Sequence, residues 1–319
     1  MPLDDDVTRS RTLVPGPARS RPAGRVVTAG APTDLAPPAP PAAPARAVLT
    51  VAGAVVVTVE DGSAMAPVDS PRPHLHPVRT LAGTPVTDSA PVDHRHHRGV
   101  GIAVPDVDGT SHWGGRTHVR GRGSTLLENH GAQQVVEQDG DGAGALRQVV
   151  SWCDRTGGEQ FREERRLRAV AAPGGWRLDW TSVLHARHPV TIGSPATNGR
   201  PGAFYGGWFW RAPFQGAETL VADGAGTALA HGSRSPWLAV SAPGAWLLAV
   251  QHGEVLPWFV RTEEYTGFGP ALAFDARREV SPDEPVRIRL SVLVADGPTP
   301  APGTVRAAAL GLLATGVDA

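Results

Sequence analysis

Apolar residues recur along most of this chain in short runs, and several of the runs alternate with period two. In Trp176-Arg177-Leu178-Asp179-Trp180-Thr181-Ser182-Val183-Leu184, the residues Trp176, Leu178, Trp180, Ser182 and Leu184 share one face of an extended strand. Across residues 161–170 the charges fall along one side, which predicts a strand with one face in water. Residues 48–51 and 54–59, separated by Ala52-Gly53, predict a hairpin. Further strands are predicted over 100–104, 124–128, 133–138, 146–153, 237–240, 246–252, 258–261 and 286–294. Turn residues punctuate them, as in Asp139-Gly140-Asp141-Gly142, Pro173-Gly174-Gly175 and Ala242-Pro243-Gly244. One segment, 305–313, reads as helix.

This pattern predicts an all-β protein, a large antiparallel β-sandwich of about 15 strands or more, with one short C-terminal helix. Residues 1–45 are rich in Pro, Ala and Arg without apolar periodicity, which predicts a disordered tail. The sandwich domain is expected over 46–298 and a C-terminal extension carrying the helix over 299–319.

Composition narrows the chemistry. The formal net charge is −1, so no global basic field invites nucleic acid or an anionic membrane. All 30 Lys+Arg positions are Arg, which removes Schiff-base and Lys-base mechanisms. Cys153 is the single cysteine, so no intrachain disulfide or cysteine-rich zinc site is expected, and its place at a strand end argues against a nucleophile. No apolar run reaches the roughly 20 residues of a spanning helix, and the acidic start Met1-Pro2-Leu3-Asp4-Asp5-Asp6 lacks a signal-peptide core. A cytoplasmic protein is expected. No glycine-rich phosphate loop follows a strand, so no nucleotide cofactor is expected.

The 12 histidines are not spread evenly. Three fall within Asp93-His94-Arg95-His96-His97-Arg98-Gly99, with His74 and His76 upstream and His112, His118 and His130 downstream. Imidazoles ligate metals and exchange protons near neutral pH. Read as a strand, the segment puts His94 and His96 on one face, and Glu128 with His130 forms a second i, i+2 pair. His94, His96 and His130 are therefore candidate ligands of one divalent metal ion. A metal-free polar pocket and a purely structural role are the other readings. For acid–base work the candidates are His96, His97 and Glu128. For ligand binding they are His74, His76, Arg79, Arg98, His112, Trp113 and Trp208. Guanidinium forks suit hydroxyl-rich or carboxylated ligands, and flat indoles stack on sugar faces. The expected partner is a small, sugar-like molecule.

The segments Arg72-Pro73-His74-Leu75-His76-Pro77, Asp93-His94-Arg95-His96-His97-Arg98-Gly99 and Asp108-Gly109 with His112-Trp113-Gly114 together resemble the bacterial PmoA-like family, often labelled methane oxygenase PmoA. Ser194 to Gly202 and Gly206-Gly207-Trp208-Phe209-Trp210-Arg211 continue the resemblance, which spans roughly residues 46 to 298. The label belongs to an integral membrane subunit with several spanning helices, and no such helix is predicted here. The resemblance implies a role in bacterial carbohydrate use and a mutarotase-like supersandwich, by fold-level analogy only. On that basis the leading expectation is a carbohydrate-active enzyme of epimerase, lyase or hydrolase type, using His-based acid–base catalysis. A metal-dependent oxygenase and a non-catalytic sugar-binding module are the alternatives.

Overall fold

A computed structural model describes residues 47–316. The expected tail over 1–45 lies outside the described residues. The architecture is the antiparallel all-β sandwich that the periodicity predicts. One sheet has seven strands, in the order Ala47–Val51, Ala54–Glu60, His74–Val78, Val100–Ala103, Gly207–Ala212, Thr266–Pro270 and Trp258–Arg261. The other has nine, in the order Gly224–Ala225, Glu218–Val221, Trp237–Ala242, Ala245–Gln251, Val286–Asp296, Gly175–Ala186, Glu159–Ala172, Ala145–Cys153 and Ala132–Gly140.

Alternation decides what each sheet buries. From the nine-stranded sheet, Trp176, Leu178, Trp180 and Leu184 enter the core between the sheets, as predicted. From the seven-stranded sheet come Val100, Ile102, Trp208, Trp210 and Phe268. Trp180 and Trp208 meet edge to face across the interface, with ring centroids 6.4 Å apart. Each such fully buried apolar side chain contributes about 1.5–3 kcal/mol.

The strands Trp237–Ala242 and Ala245–Gln251 read as continuous apolar runs because both of their faces are covered. Leu238, Val240, Leu247 and Ala249 face the sandwich core. Trp237, Ala239, Trp246 and Leu248 face Val305, Ala309 and Leu312 of the helix Pro302–Thr315. That helix is longer than the expected 305–313 and packs directly on the sheet.

A buried ion pair lies inside the sandwich. Glu163 and Arg165 are 0% and 1% exposed. Arg165 donates from Nε and Nη2 to the two carboxylate oxygens at 2.8 and 3.0 Å. The Trp152 indole (2.9 Å) and the Ser182 hydroxyl (2.6 Å) donate to the same carboxylate. Strands also form in segments for which the sequence pattern names none. Among them is Gly207–Ala212, an aromatic stretch whose glycines suggest a pocket lining rather than a central strand.

Candidate active site

The outer face of the seven-stranded sheet carries the site. In Gly207–Ala212, Trp208 and Trp210 enter the core, so Phe209 and Arg211 point the other way. Phe209 joins Trp113, Phe204 and Phe259 in a separate aromatic cluster on that outer face. Gly267 makes room for it: a Cβ there would meet the Phe209 and Tyr265 rings at 2.7 Å.

The histidine segment lies over this cluster in two successive turns rather than in a strand. The His94 N–H donates to the Pro91 carbonyl at 3.0 Å and the His97 N–H to the His94 carbonyl at 2.8 Å. The expected one-face His-x-His pair is thereby corrected, because in tight turns all three rings gather. Ring centroids are 4.8 Å apart for His94–His97 and for His96–His97, and 5.8 Å for His94–His96. His97 is buried against Trp113, Phe209 and Tyr265 at 5.6, 5.5 and 5.1 Å.

Above these rings opens a cavity of about 460 Å³. His97, Trp113, Ala203 and Phe259 are its buried floor, and His94, His96, Tyr205 and Tyr265 its half-buried walls. Asp93, Arg116, Arg200, Arg261 and Glu264 stand exposed at its mouth. A second cavity of about 300 Å³ lies on the nine-stranded sheet, between Asp139, Arg147, Arg166 and Arg168. Aspartates and arginines line it, and no imidazole does.

Hydrogen bonds fix the state of two imidazoles. Arg211 Nη1 lies 3.0 Å from His97 Nδ1. A guanidinium only donates, so Nδ1 accepts and the His97 proton sits on Nε2. Arg211 is itself held by Asp88 at 3.2 Å and by the Tyr265 ring, 4.3 Å from its Cζ. His94 has the reverse arrangement: its Nδ1 lies 2.9 Å from the Asp93 carboxylate, which only accepts. Nδ1 therefore carries a proton, and in the neutral form of the ring Nε2 keeps a lone pair.

Burial, with His96 and Arg211 adding to it, holds the His97 pKa well below the ordinary imidazole value. Burial and the Arg72 guanidinium hold that of His96 down to about 3. Both rings are neutral at physiological pH. Burial raises the Tyr265 phenol to about 12 and also raises Tyr205, so both remain hydroxyl donors.

Two side chains outside the cavity brace its walls. Buried Arg72 donates to the carbonyls of Asp69, Ser70 and Trp113 at 3.0–3.1 Å and to that of His96. His130 donates from Nε2 to the Gly115 carbonyl at 2.7 Å. Gly115 has φ +68, and a Cβ there would meet His96 Nδ1 at 2.8 Å, so only glycine lets the two segments approach.

The remaining expectations divide sharply. His94, His96, His97 and Trp113 line the cavity. His74 and His76 do not: His74 is buried against the Arg72 carbonyl at 3.0 Å, and His76 meets Thr87 at 3.0 Å. Arg79 is exposed and bonds the Gly83 carbonyl, and Arg98 pairs with Asp69 at 3.7 Å. His112 is 0% exposed inside the protein, bonded to Gln160 at 2.9 Å. Trp208 is corrected to the sandwich core, one residue out of phase with the site face.

Glu128 is corrected as a catalytic base, since its side chain is 93% exposed and is paired with Arg155. The ligand set His94, His96 and His130 is also corrected, because the three rings do not form a group that could hold a metal ion. Among the described residues, no group of three or more His, Cys, Asp or Glu is arranged to hold a metal ion. Sequence reasoning missed Arg211, Arg72, Tyr205, Tyr265 and Phe259, which come from distant segments.

Comparison with known proteins gives a family. Residues 46–309 match a family described as a family of unknown function, DUF6807. The chain belongs to that family. The family description carries no activity, so it does not bear on the oxygenase label. No curated protein matches the chain. Among solved structures, the chain is similar to a crystal structure provisionally described as an aldose 1-epimerase from Escherichia coli K12, with 12% identity and a TM-score of 0.44. That match covers 79% of this chain and 99% of the other. No helix among the described residues is long and apolar enough to cross a membrane.

Proposed function

We propose that this DUF6807 protein is a proton-transfer enzyme of the epimerase or lyase kind, acting on a polyhydroxylated, sugar-like substrate. One observation carries the reading: two imidazoles 4.8 Å apart on one cavity hydrogen-bond in opposite senses, Nδ1 donating in His94 and accepting in His97. His94, with Asp93 behind it, offers a lone pair on Nε2 and serves as the base. His97, with Arg211 behind it, offers an N–H on Nε2 and stabilises an oxygen that gains negative charge. A substrate C–H next to a carbonyl would give its proton to His94 while the electron pair moves to the oxygen held by His97. If the intermediate turns over before His94 returns the proton to its other face, epimerisation results; if a β-substituent leaves with its bonding electrons and is protonated by solvent, a double bond forms and the reaction is an elimination. Trp113, Tyr205 and Phe259 supply aromatic surface for a sugar ring, and the two phenols supply hydroxyl donors.

Hydrolysis is the weaker alternative. Glycoside hydrolases generally flank the bond with two carboxyl groups, and here Asp93 is committed to His94 while Glu264 stands at the mouth.

Deuterium exchange tests the reading without knowledge of the product. The full chain is incubated in D2O with neutral and acidic hexoses, and loss of C–H signals is followed by NMR. Exchange should occur with at least one sugar, and His94→Ala should slow it about 100-fold or more at unchanged melting temperature. An unchanged rate in His94→Ala, or a wild-type protein that binds sugars without exchange, would overturn it.

A further inference from the structure

The mouth of the cavity carries more positive charge than the protein uses. Three guanidiniums, Arg116, Arg200 and Arg261, face two carboxylates, Asp93 and Glu264, and the buried imidazoles of His96 and His97 below add no charge at neutral pH. Arg116 is occupied, donating to the Ser124 hydroxyl at 3.2 Å and to its carbonyl at 2.9 Å. Asp93 is occupied by His94.

Neither the Arg200 nor the Arg261 guanidinium makes a hydrogen bond or an ion pair with another described residue; Arg261 only approaches the Phe259 ring, its Cζ 5.8 Å from the centroid. Yet both stand on the rim of one cavity, with Tyr205 in its wall. They come from different parts of the chain, Arg200 from the loop after Val190–Gly193 and Arg261 from the end of Trp258–Arg261. The loop and the strand end that bring them to one cavity leave both forks open.

We propose that the substrate is an acid sugar, held by its carboxylate between Arg200 and Arg261. This rests on the sugar-like reading of the site given above and adds the charge of the ligand. Two planar guanidinium forks match the geometry of a carboxylate, which accepts paired N–H bonds. A phosphate would more often find a helix N-terminus, and no helix contributes to this cavity. The chemistry agrees. Removing a proton from a substrate that already carries a carboxylate builds a second negative charge on it, and two nearby cations favour that state.

Isothermal titration of the full chain tests this, with glucuronate and galacturonate against glucose, galactose and glucose 6-phosphate. An acid sugar should bind about tenfold or more tighter than its neutral counterpart. Arg200→Gln and Arg261→Gln should each weaken acid binding by about tenfold and leave neutral-sugar binding and melting temperature unchanged, since both side chains are exposed. Equal affinity for acid and neutral sugars, no binding of either acid, or unchanged acid affinity in both variants would overturn the proposal. Tighter binding of the 6-phosphate than of either acid would overturn it in favour of a phosphate. Acid-selective binding without deuterium exchange would sink the proton-transfer reading and leave this one standing.

Discussion

Glu163 and Arg165 lie between the sheets, and His97 and Arg211 lie on the outer side of the seven-stranded sheet. Both pairs are buried, but their hydrogen-bonding differs. The Glu163 carboxylate accepts from Arg165, Trp152 and Ser182, and the Arg165 guanidinium also faces the Trp180 ring at 4.9 Å. No room remains there for a ligand. His97 accepts one bond from Arg211 and keeps its Nε2–H for the cavity it lines. A closed polar network in a core fixes one packing arrangement; a network with one open bond beside a cavity binds something.

That contrast breaks most readily at the core pair. Glu163→Gln removes the charge that Arg165 answers and should cost about 3–5 kcal/mol in denaturant unfolding, whatever ligand is present. A cost below about 1 kcal/mol would mean that Arg165 finds other compensation and that the two networks are alike.

Acidification should come next. Burial holds His74 and His96 down to about 3 and His112 to about 4, with His97 also far below the usual 6.5. Between those values and 6.5 the unfolded chain binds protons that the folded chain does not. Stability is therefore full above about pH 6.5 and falls as pH drops toward 4, by up to about 1.4 kcal/mol per pH unit for each imidazole. His112→Gln should flatten the curve by one such increment. A denaturation midpoint that is flat from pH 7 to 4.5 would contradict the neutral assignment on which the site depends.

Arg211→Met is the functional counterpart of the first variant. It frees the His97 tautomer and should lower turnover about 100-fold, with a smaller loss of stability than Glu163→Gln because Asp88 is partly solvated. Equal losses of stability in the two would make the His97 pair structural. Glu128→Gln should be silent, within about 0.5 kcal/mol of wild type and fully active, as suits an exposed carboxylate away from the cavity.

The sequence makes the fold more legible than the site. Period-two runs such as residues 176–184 announce which side chains meet in the core, because strand geometry ties spacing to facing. Histidine crowding likewise flags residues 94–97. The site, however, is assembled from segments more than 100 residues apart, as in the His97–Arg211 bond, and such contacts leave no local trace. Trp208 shows how narrow the margin is. In Trp208-Phe209-Trp210-Arg211 only the charge of Arg211 hints which parity faces outward, and an aromatic beside glycines is an equally plausible pocket residue. His112, His74 and Glu128 share composition and neighbourhood with the cluster, yet hydrogen bonds to Gln160, Arg72 and Arg155 draw them elsewhere.

The strand Gly207–Ala212 has a further consequence, for how this protein can diversify. Its two faces belong to different enterprises, the tryptophans to the folding core and Phe209 with Arg211 to the support of His97 beneath the cavity. A substitution in that strand is therefore judged twice, once by stability and once by chemistry, and few will pass both. Arg200 and Arg261, and Arg116 with its bonds to Ser124, stand exposed at the mouth and are judged mainly by the ligand. Libraries randomised at those three positions should retain folding in most members and shift preference among ligands, whereas libraries at 208–211 should yield mostly insoluble chains.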